Sequence, residues 1–173
     1  MQHSPLSALL LFFGLFGQAD YQPIAVAKHP ASTDVNFSID VSGTDFKVAK
    51  YLTGTLVYTE DGSVSANKPL FIVGNSAGII SLQKQKRYSI ERLRRLPGGE
   101  AAAIKKISAV RIDNLPGYEI IAEGKSKSGK EQFFYQVMLY GEKGYFILVG
   151  MAPEELQNSL KSFKRITMTF RRI

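Results

Sequence analysis

The most constraining feature of this chain is a long run of alternating apolar and polar residues between Val110 and Ala152. Apolar side chains recur at every second position in successive stretches, for example at Ile120, Val137 and Ile147. Successive side chains of a strand point to opposite faces of a sheet, so this period predicts β-strands. Three turn-forming segments separate the stretches: Asn114–Gly117, Ser126–Lys130 and Gly141–Gly144. The pattern therefore predicts an antiparallel meander.

Shorter strand signals precede the meander, and two helical patterns accompany it. Strands are predicted over 36–41, 46–51 and 53–60, and the compact apolar run Leu70–Gly74 predicts a central strand buried on both faces. A period near 3.6 residues predicts a helix over Ser81–Leu96, ended by the Pro97–Gly99 segment. A second helix is predicted from Pro153, with Leu160 and Phe163 in its apolar stripe. These elements predict an α+β domain in which helices flank a mostly antiparallel sheet.

The first 34 residues have the pattern of an export signal and a linker. The apolar run Leu6–Phe16 is shorter than a membrane span of about 20 residues but has the length of a signal-peptide core. Small residues follow it, which predicts cleavage after Ala19 or, alternatively, after Ala27. A buried N-terminal helix remains the other interpretation, because no Lys or Arg precedes the run. Residues 20–34 then form a linker, residues 35–173 form a single domain, and the protein is expected to be periplasmic or secreted.

The residue types needed for several kinds of catalysis are scarce. The chain has no cysteine, which excludes disulfides, thiolate metal sites and cysteine nucleophiles. Its two histidines, His3 and His29, both precede the predicted domain. A histidine-based triad or a two-histidine metal site is therefore not expected inside the domain, and no catalytic, metal or cofactor-binding residue is assigned.

Two short patterns mimic catalytic motifs without meeting their requirements. The segment Gly124–Lys130 fits the G-x-x-x-x-G-K part of a phosphate-binding loop. However, Glu131 occupies the position of the required Ser or Thr, and a strand follows where the motif needs a helix, so we interpret it as a hairpin turn. Glu119 and Glu123 share one strand face, which would suit an acid and base pair. Charge pairing with Arg111 and Asp113 on the neighbouring strand is the preferred explanation.

The most suggestive functional feature is a cluster of cations on the first predicted helix. These residues are Lys84, Lys86, Arg87, Arg92, Arg94 and Arg95. Only Glu91 compensates them within the helix, in a chain whose formal net charge is +7. Such a field attracts anionic partners, either an acidic protein or an anionic envelope component such as a membrane surface. A solvated face without a partner is the alternative. No aromatic stacking platform accompanies the cluster, so nucleic acid is not expected.

The order of elements and several short motifs resemble exported bacterial proteins of the PsbP-like (Mog/PsbP) superfamily. The motifs are Tyr51–Gly54, Arg92–Gly98, Val110–Glu119, Tyr135–Leu139, and Phe163 with Phe170. The resemblance covers residues 45–172 and implies an α-β-α sandwich that serves as a non-catalytic accessory or binding module. Photosynthetic members support an oxygen-evolving complex and nuclear relatives bind a small GTPase, but no motif here carries either role over.

Taken together, these patterns predict an exported, soluble, non-enzymatic interaction module without a cofactor. The alternative is a carrier that binds a small apolar or anionic ligand between a helix and the sheet. A carboxylate-based hydrolase using Glu119 and Glu123 is a third and weaker hypothesis.

Overall fold

The computed structural model describes residues 36–52, 54–64, 68–126, 128–154 and 158–173. The predicted signal and linker lie outside these residues. In chain order the elements are β1 (Phe37–Ser38), β2 (Lys47–Leu52), β3 (Thr55–Thr59), β4 (Leu70–Ala77), α1 (Leu82–Arg94), β5 (Ala103–Ile112), β6 (Leu115–Lys125), β7 (Glu131–Tyr140), β8 (Gly144–Pro153), α2 (Asn158–Met168) and β9 (Arg171–Arg172). Neither α1 nor α2, the helices of the described ranges, has the length and apolar content to span a bilayer.

Seven strands form one antiparallel sheet in the order β2-β3-β4-β8-β7-β6-β5. The meander β5 to β8 makes up one side, as the alternation predicted. It joins the rest of the sheet where β8 pairs with β4, with Ile72 opposite Val149. Phe71–Gly74 within β4 is buried throughout, which confirms the predicted central strand. The mostly antiparallel sheet with two helices is therefore present.

The buried apolar residues form two core clusters, and neighbouring residues along a strand belong to different clusters. On β7, Phe133 and Tyr135 belong to a cluster that includes Phe163 of α2. Their neighbour Phe134 belongs to a second cluster, which includes Leu93 of α1. Adjacent strand residues point to opposite faces, so β7 has to be apolar at both parities, and it is buried from Phe133 to Tyr140.

The turn between β5 and β6 is shorter than predicted. Asp113 and Asn114 form it alone, with φ of 49° and 61°, and Ile112 pairs directly with Leu115. Positive φ at both central residues is the geometry of a type I′ hairpin turn, which Asn and Asp tolerate better than most residues. Pro116, which had been expected within the turn, lies in β6 instead.

The predicted start of the second helix falls in a strand. β8 continues to Pro153, which pairs with Gln132 of β7, and α2 is described over Asn158–Met168. The predicted helix start at Pro153 is therefore wrong. Proline is tolerated at a strand end, and the partners available on β7 extend the sheet to this residue. The predicted helix residues 155–157 lie outside the described residues.

Two short strands bring the beginning and end of the described chain together. β1 pairs with β9, and Ile173 N donates a hydrogen bond to Asn36 O at 3.1 Å. Phe37 stacks on Phe170 with ring centroids 6.0 Å apart. Further along, Asp40 N donates to Thr169 Oγ1 at 2.8 Å. The segment 36–46 is thereby fastened to the end of α2.

Candidate functional site: the basic helix and the neighbouring groove

Helix α1 and its C-cap residue Arg95 expose five of the six cations in the predicted contact cluster. The exposed residues are Lys84, Lys86, Arg87, Arg94 and Arg95. Glu91 Oε1 lies 3.3 Å from Arg87 Nε, but both side chains are largely solvated, so this pair stabilises the helix only weakly. Arg92 is the exception, because it is only 4% exposed. The outer surface of α1 therefore carries a strong excess of positive charge.

The inner side of α1 is held to the sheet by buried polar groups. The Tyr140 hydroxyl donates to Gln85 O at 2.8 Å and lies 2.7 Å from Ser89 Oγ. Gln136, which is fully buried on β7, donates from Nε2 to Ser89 O at 2.7 Å. Hydrogen bonds between buried groups have restricted geometry and are costly to break. They fix both the position and the rotation of α1 on the sheet.

Tyrosines extend this attachment toward β8. The hydroxyls of Tyr88 and Tyr145 lie 2.9 Å apart. Burial, aided by this hydrogen bond, raises the pKa of Tyr88 to about 12. Burial likewise raises the pKa of Tyr140 to about 12. Both phenols are therefore protonated at neutral pH, and they hold the helix as neutral hydrogen-bonding groups.

An open groove of about 430 Å³ adjoins the N-terminal end of α1. Its lining comes from the first turn of the helix and from the ends of β5 and β6 that meet at the short turn. The lining residues are Leu82, Gln85, Ala109, Val110, Arg111, Pro116, Gly117 and Tyr118. Leu82 is 70% exposed despite being apolar. The groove thus combines apolar walls with one cation and has no carboxylate among these residues.

The geometry of the two segments that mimic catalytic motifs argues against catalysis at either of them. Ser126 N donates to Lys130 O at 2.8 Å and Gly129 N donates to Ser126 O at 2.9 Å, so these amides bond within the hairpin turn instead of facing a phosphate. Glu119 and Glu123 are four residues apart on β6, which separates their Cα atoms by about 13 Å. The paired carboxyl groups of glycosidases lie at most about 9.5 Å apart, so both side chains would have to lean toward each other, whereas Glu123 Oε2 lies 2.6 Å from Lys105 Nζ.

The expected charge pairing of these glutamates with Arg111 and Asp113 is wrong, and Arg111 Nη1 donates to Asn114 O at 3.1 Å instead. Glu123 pairs with Lys105, whose Nζ lies 2.6 Å from Oε2. Asp113 lies in the turn and binds Arg172 of β9, with Oδ2 2.8 Å from Nε. In the described ranges no group of three or more His, Cys, Asp or Glu could hold a metal ion. His3 and His29 lie outside those ranges.

Comparisons with known proteins identify similar folds only. No family model matches the chain, and no curated protein does either. Among solved structures, LpqN of Mycobacterium tuberculosis, described as involved in cell envelope biogenesis, matches with a TM-score of 0.60 and 14% identity, over 82% of this chain and 86% of LpqN. A protein of unknown function from Pseudomonas aeruginosa matches with a TM-score of 0.54 and 14% identity, over 70% of this chain and 84% of that protein.

The solved structures similar to this chain also include a PsbP protein. This is the cyanobacterial PsbP of Synechocystis, with a TM-score of 0.45 and 10% identity, over 86% of this chain and 99% of that protein. At these identities the likenesses concern the fold alone.

Proposed function

We propose that this protein is an exported, non-catalytic interaction module whose helix α1 contacts an anionic partner. The observation that carries the proposal is the contrast between the two sides of α1. Its outer side exposes five cations against the single acid Glu91, while its inner side is fixed by Ser89, Gln136 and Tyr140. A charged surface on a rigid support loses little conformational entropy when it binds.

Export and architecture form part of the same proposal. The apolar run Leu6–Phe16 followed by small residues supports a signal peptide. The likeness to LpqN, a protein of envelope biogenesis, is compatible with a location outside the cytoplasm. We assign the domain to the α-β-α sandwiches of PsbP-like type, with α1 and α2 covering opposite faces, since they contribute to different core clusters. Intact-mass measurement of the exported protein tests cleavage after Ala19 or Ala27.

The pKa shifts of four described residues favour structural over catalytic roles for these groups. The Ser42 hydrogen bonds lower the pKa of Asp40, and the Arg172 hydrogen bonds lower the pKa of Asp113. Burial raises the pKa of Tyr135 and Tyr140. These shifts move each group away from neutral pH, whereas a general acid or base works best with a pKa near the operating pH.

The alternative of a small-ligand carrier receives less support. Leu93 of α1 and Ile120 and Phe134 of the sheet are all fully buried, so the interface between helix and sheet is filled by side chains. The open groove beside Leu82 leaves room for a ligand at one end of this interface. Native mass spectrometry of the purified protein tests this alternative through the mass of any retained ligand.

The main proposal is tested by reversing charge on α1 and measuring retention on native envelope fractions. The test variant combines Lys84→Glu, Arg87→Glu and Arg94→Glu. The matched control combines Lys47→Glu, Lys130→Glu and Lys161→Glu, which changes net charge equally at exposed residues away from α1. We expect the α1 variant to lose retention and the control to keep it. Equal retention of the two variants would refute a role for α1.

A further inference from the structure

Strand β5 has one unpaired edge whose free backbone groups can be assigned. In a type I′ hairpin the residues flanking the turn, Ile112 and Leu115, exchange both backbone hydrogen bonds. The pairs then alternate, so Ser108 and Val110 also bond toward β6. Ile107, Ala109 and Arg111 direct their N–H and C=O groups away from β6. Within the described ranges no strand pairs with that edge.

The register supports this assignment through Pro116. Pro116 lies opposite Arg111, in a pair that exchanges no hydrogen bonds across the hairpin. Its missing N–H would therefore point away from β5. The ladder between β6 and β7 starts only at Gly117, opposite Leu139, so no bond to β7 is lost either.

The groove beside α1 lies next to the same free edge. Ala109 and Arg111 line the groove as well as carrying the free backbone groups. Ala109 is small, so it does not block the approach of another chain. Leu82 forms the opposite wall and is 70% exposed, which leaves apolar surface for a side chain to cover.

The charges around this edge are positive and partly unpaired. Arg111 is exposed, and Lys86 lies one helical turn beyond Leu82 on the same side of α1. Lys106 is exposed on β5 itself. Lys105, by contrast, pairs with Glu123, and a register shift between Ile104 and Lys106 disrupts the edge there. The regular, accessible part of the edge is therefore 107–111.

We propose that the free edge of β5 at Ile107, Ala109 and Arg111, together with the groove bordered by Leu82, binds an extended acidic segment of a partner protein as an additional strand. Backbone pairing supplies affinity in this mode, and pockets for alternate side chains supply specificity. Arg111, Lys86 and Lys106 select acidic residues, and Leu82 covers an apolar side chain of the segment. This inference rests on the proposed function and specifies the chemistry of the partner.

A selection experiment with defined variants tests the proposal. A phage-displayed library of random dodecapeptides is selected on the wild-type protein, and enriched peptides are measured against Ala109→Pro and Ala109→Ser. Proline removes one outward N–H without taking a bond from β6, whereas serine keeps it. We expect enriched peptides to be acidic with alternating apolar residues, and to bind Ala109→Pro at least about tenfold more weakly. Failure to enrich peptides, or equal binding to both variants, would overturn the proposal.

Amide hydrogen exchange of the wild-type protein provides a second measurement, which does not depend on whether a substituted protein folds. On adding an enriched peptide, the amides of Ile107, Ala109 and Arg111 should gain protection, while those of Ser108 and Val110, already bonded to β6, should change little. Uniform change, or no change, at the five amides would refute strand addition. Binding to phosphatidylglycerol vesicles that is unaffected by Ala109→Pro, with no peptide enriched, would instead indicate a lipid surface and overturn the proposal.

The two proposals fail in distinguishable ways. In one outcome, envelope fractions retain the α1 charge-reversal variant and its control equally, while peptide binding is still weakened by Ala109→Pro. The edge of β5 then binds its partner without the outer cations of α1. If the α1 variant loses retention while Ala109→Pro binds peptides normally, only the edge-strand inference fails.

Discussion

Replacing Gly150 with alanine places a methyl group against the ring of Phe163. Gly150 lies on β8 opposite Phe71 and Tyr135, and the Phe163 ring of α2 stacks against both of these side chains, with centroids 5.6 and 6.4 Å away. A Cβ at position 150 would contact Cδ2 of that ring and lie 2.6 Å from Cε2. The ring is fully buried between its neighbours and has no room to move aside. Glycine at position 150 is therefore required by the docking of α2.

The expected cost follows from two opposing effects. Overpacking a filled core costs about 1–3 kcal/mol. Against it, Gly→Ala at a compatible backbone position stabilises by about 0.4–1 kcal/mol through the unfolded chain. We expect Gly150→Ala to lower the free energy of unfolding by about 1–2 kcal/mol. In a Phe163→Ala background the clash is absent and the methyl group partly fills the cavity, so the same substitution should be neutral or stabilising.

A double-mutant cycle by urea unfolding at 25 °C measures this coupling. We expect an interaction free energy of about 2 kcal/mol, well above the 0.3–0.5 kcal/mol by which independent sites depart from additivity. Phe163→Leu repeats the cycle if Phe163→Ala leaves too little stability to measure. Gly141→Ala is the matched control, since its Cβ would meet only ordinary contacts at 3.4 Å or more. An equal cost of Gly150→Ala in both backgrounds would refute the packing argument.

Three further predictions concern the turn, the buried polar groups and pH. Asn114→Ala should lower the free energy of unfolding by about 1–2 kcal/mol, because alanine is strained at a φ of 61°, whereas Asn114→Gly should not lower it. Thermal melts compare the two variants, and equal melting temperatures would contradict the turn geometry. Tyr140→Phe should lower the free energy of unfolding, measured with urea, by about 1–2 kcal/mol, since it removes the hydrogen bonds with Ser89 and Gln85. A decrease below about 0.5 kcal/mol, the low end for one hydrogen bond, would show that these bonds contribute little. Burial raises the pKa of Tyr135 and Tyr140 above the unfolded value of about 10, so stability should be full below pH 10 and fall toward pH 12, by up to about 1.4 kcal/mol per pH unit for each tyrosine. The urea midpoint across this range measures the effect, and Tyr140→Phe should reduce its slope.

The sheet was predictable from sequence because its strands are amphipathic or apolar over many residues. Along β7 every residue from Phe133 to Tyr140 except Gln136 is apolar or aromatic, so the strand signal accumulates. β1 lies within the predicted strand 36–41, whereas the two-residue strand β9 carries no such signal. The pairing of β1 with β9 depends on residues at opposite ends of the described chain. The predicted helix start at Pro153 is wrong because proline suits the first turn of a helix locally, whereas its pairing with Gln132 depends on the tertiary structure.

The candidate site was predictable only in part. The charge of α1 is visible in the sequence, but the burial of Arg92 is not, because a helical period assigns a charged residue to the solvent side by default. The groove was missed entirely, since Leu82, Ala109 and Pro116 belong to three elements that meet only in the folded sheet. The free edge of β5 likewise follows from strand order, which the meander pattern leaves open.

The pairing of β1 with β9 brings the two ends of the described chain close enough to be joined. The contact of Asp40 with Thr169 spans 129 residues of sequence, yet the positions it joins lie close to Asn36 and Ile173, which are themselves hydrogen-bonded. A short flexible linker between Ile173 and Asn36, with new ends opened in the Ser126–Lys130 turn, would give a circular permutant of the same domain. In that molecule the longest-range contacts become local. Because the entropic cost of closing a loop grows with its length, the closure of segment 36–46 onto α2 would cost less entropy in the permutant than in the original chain.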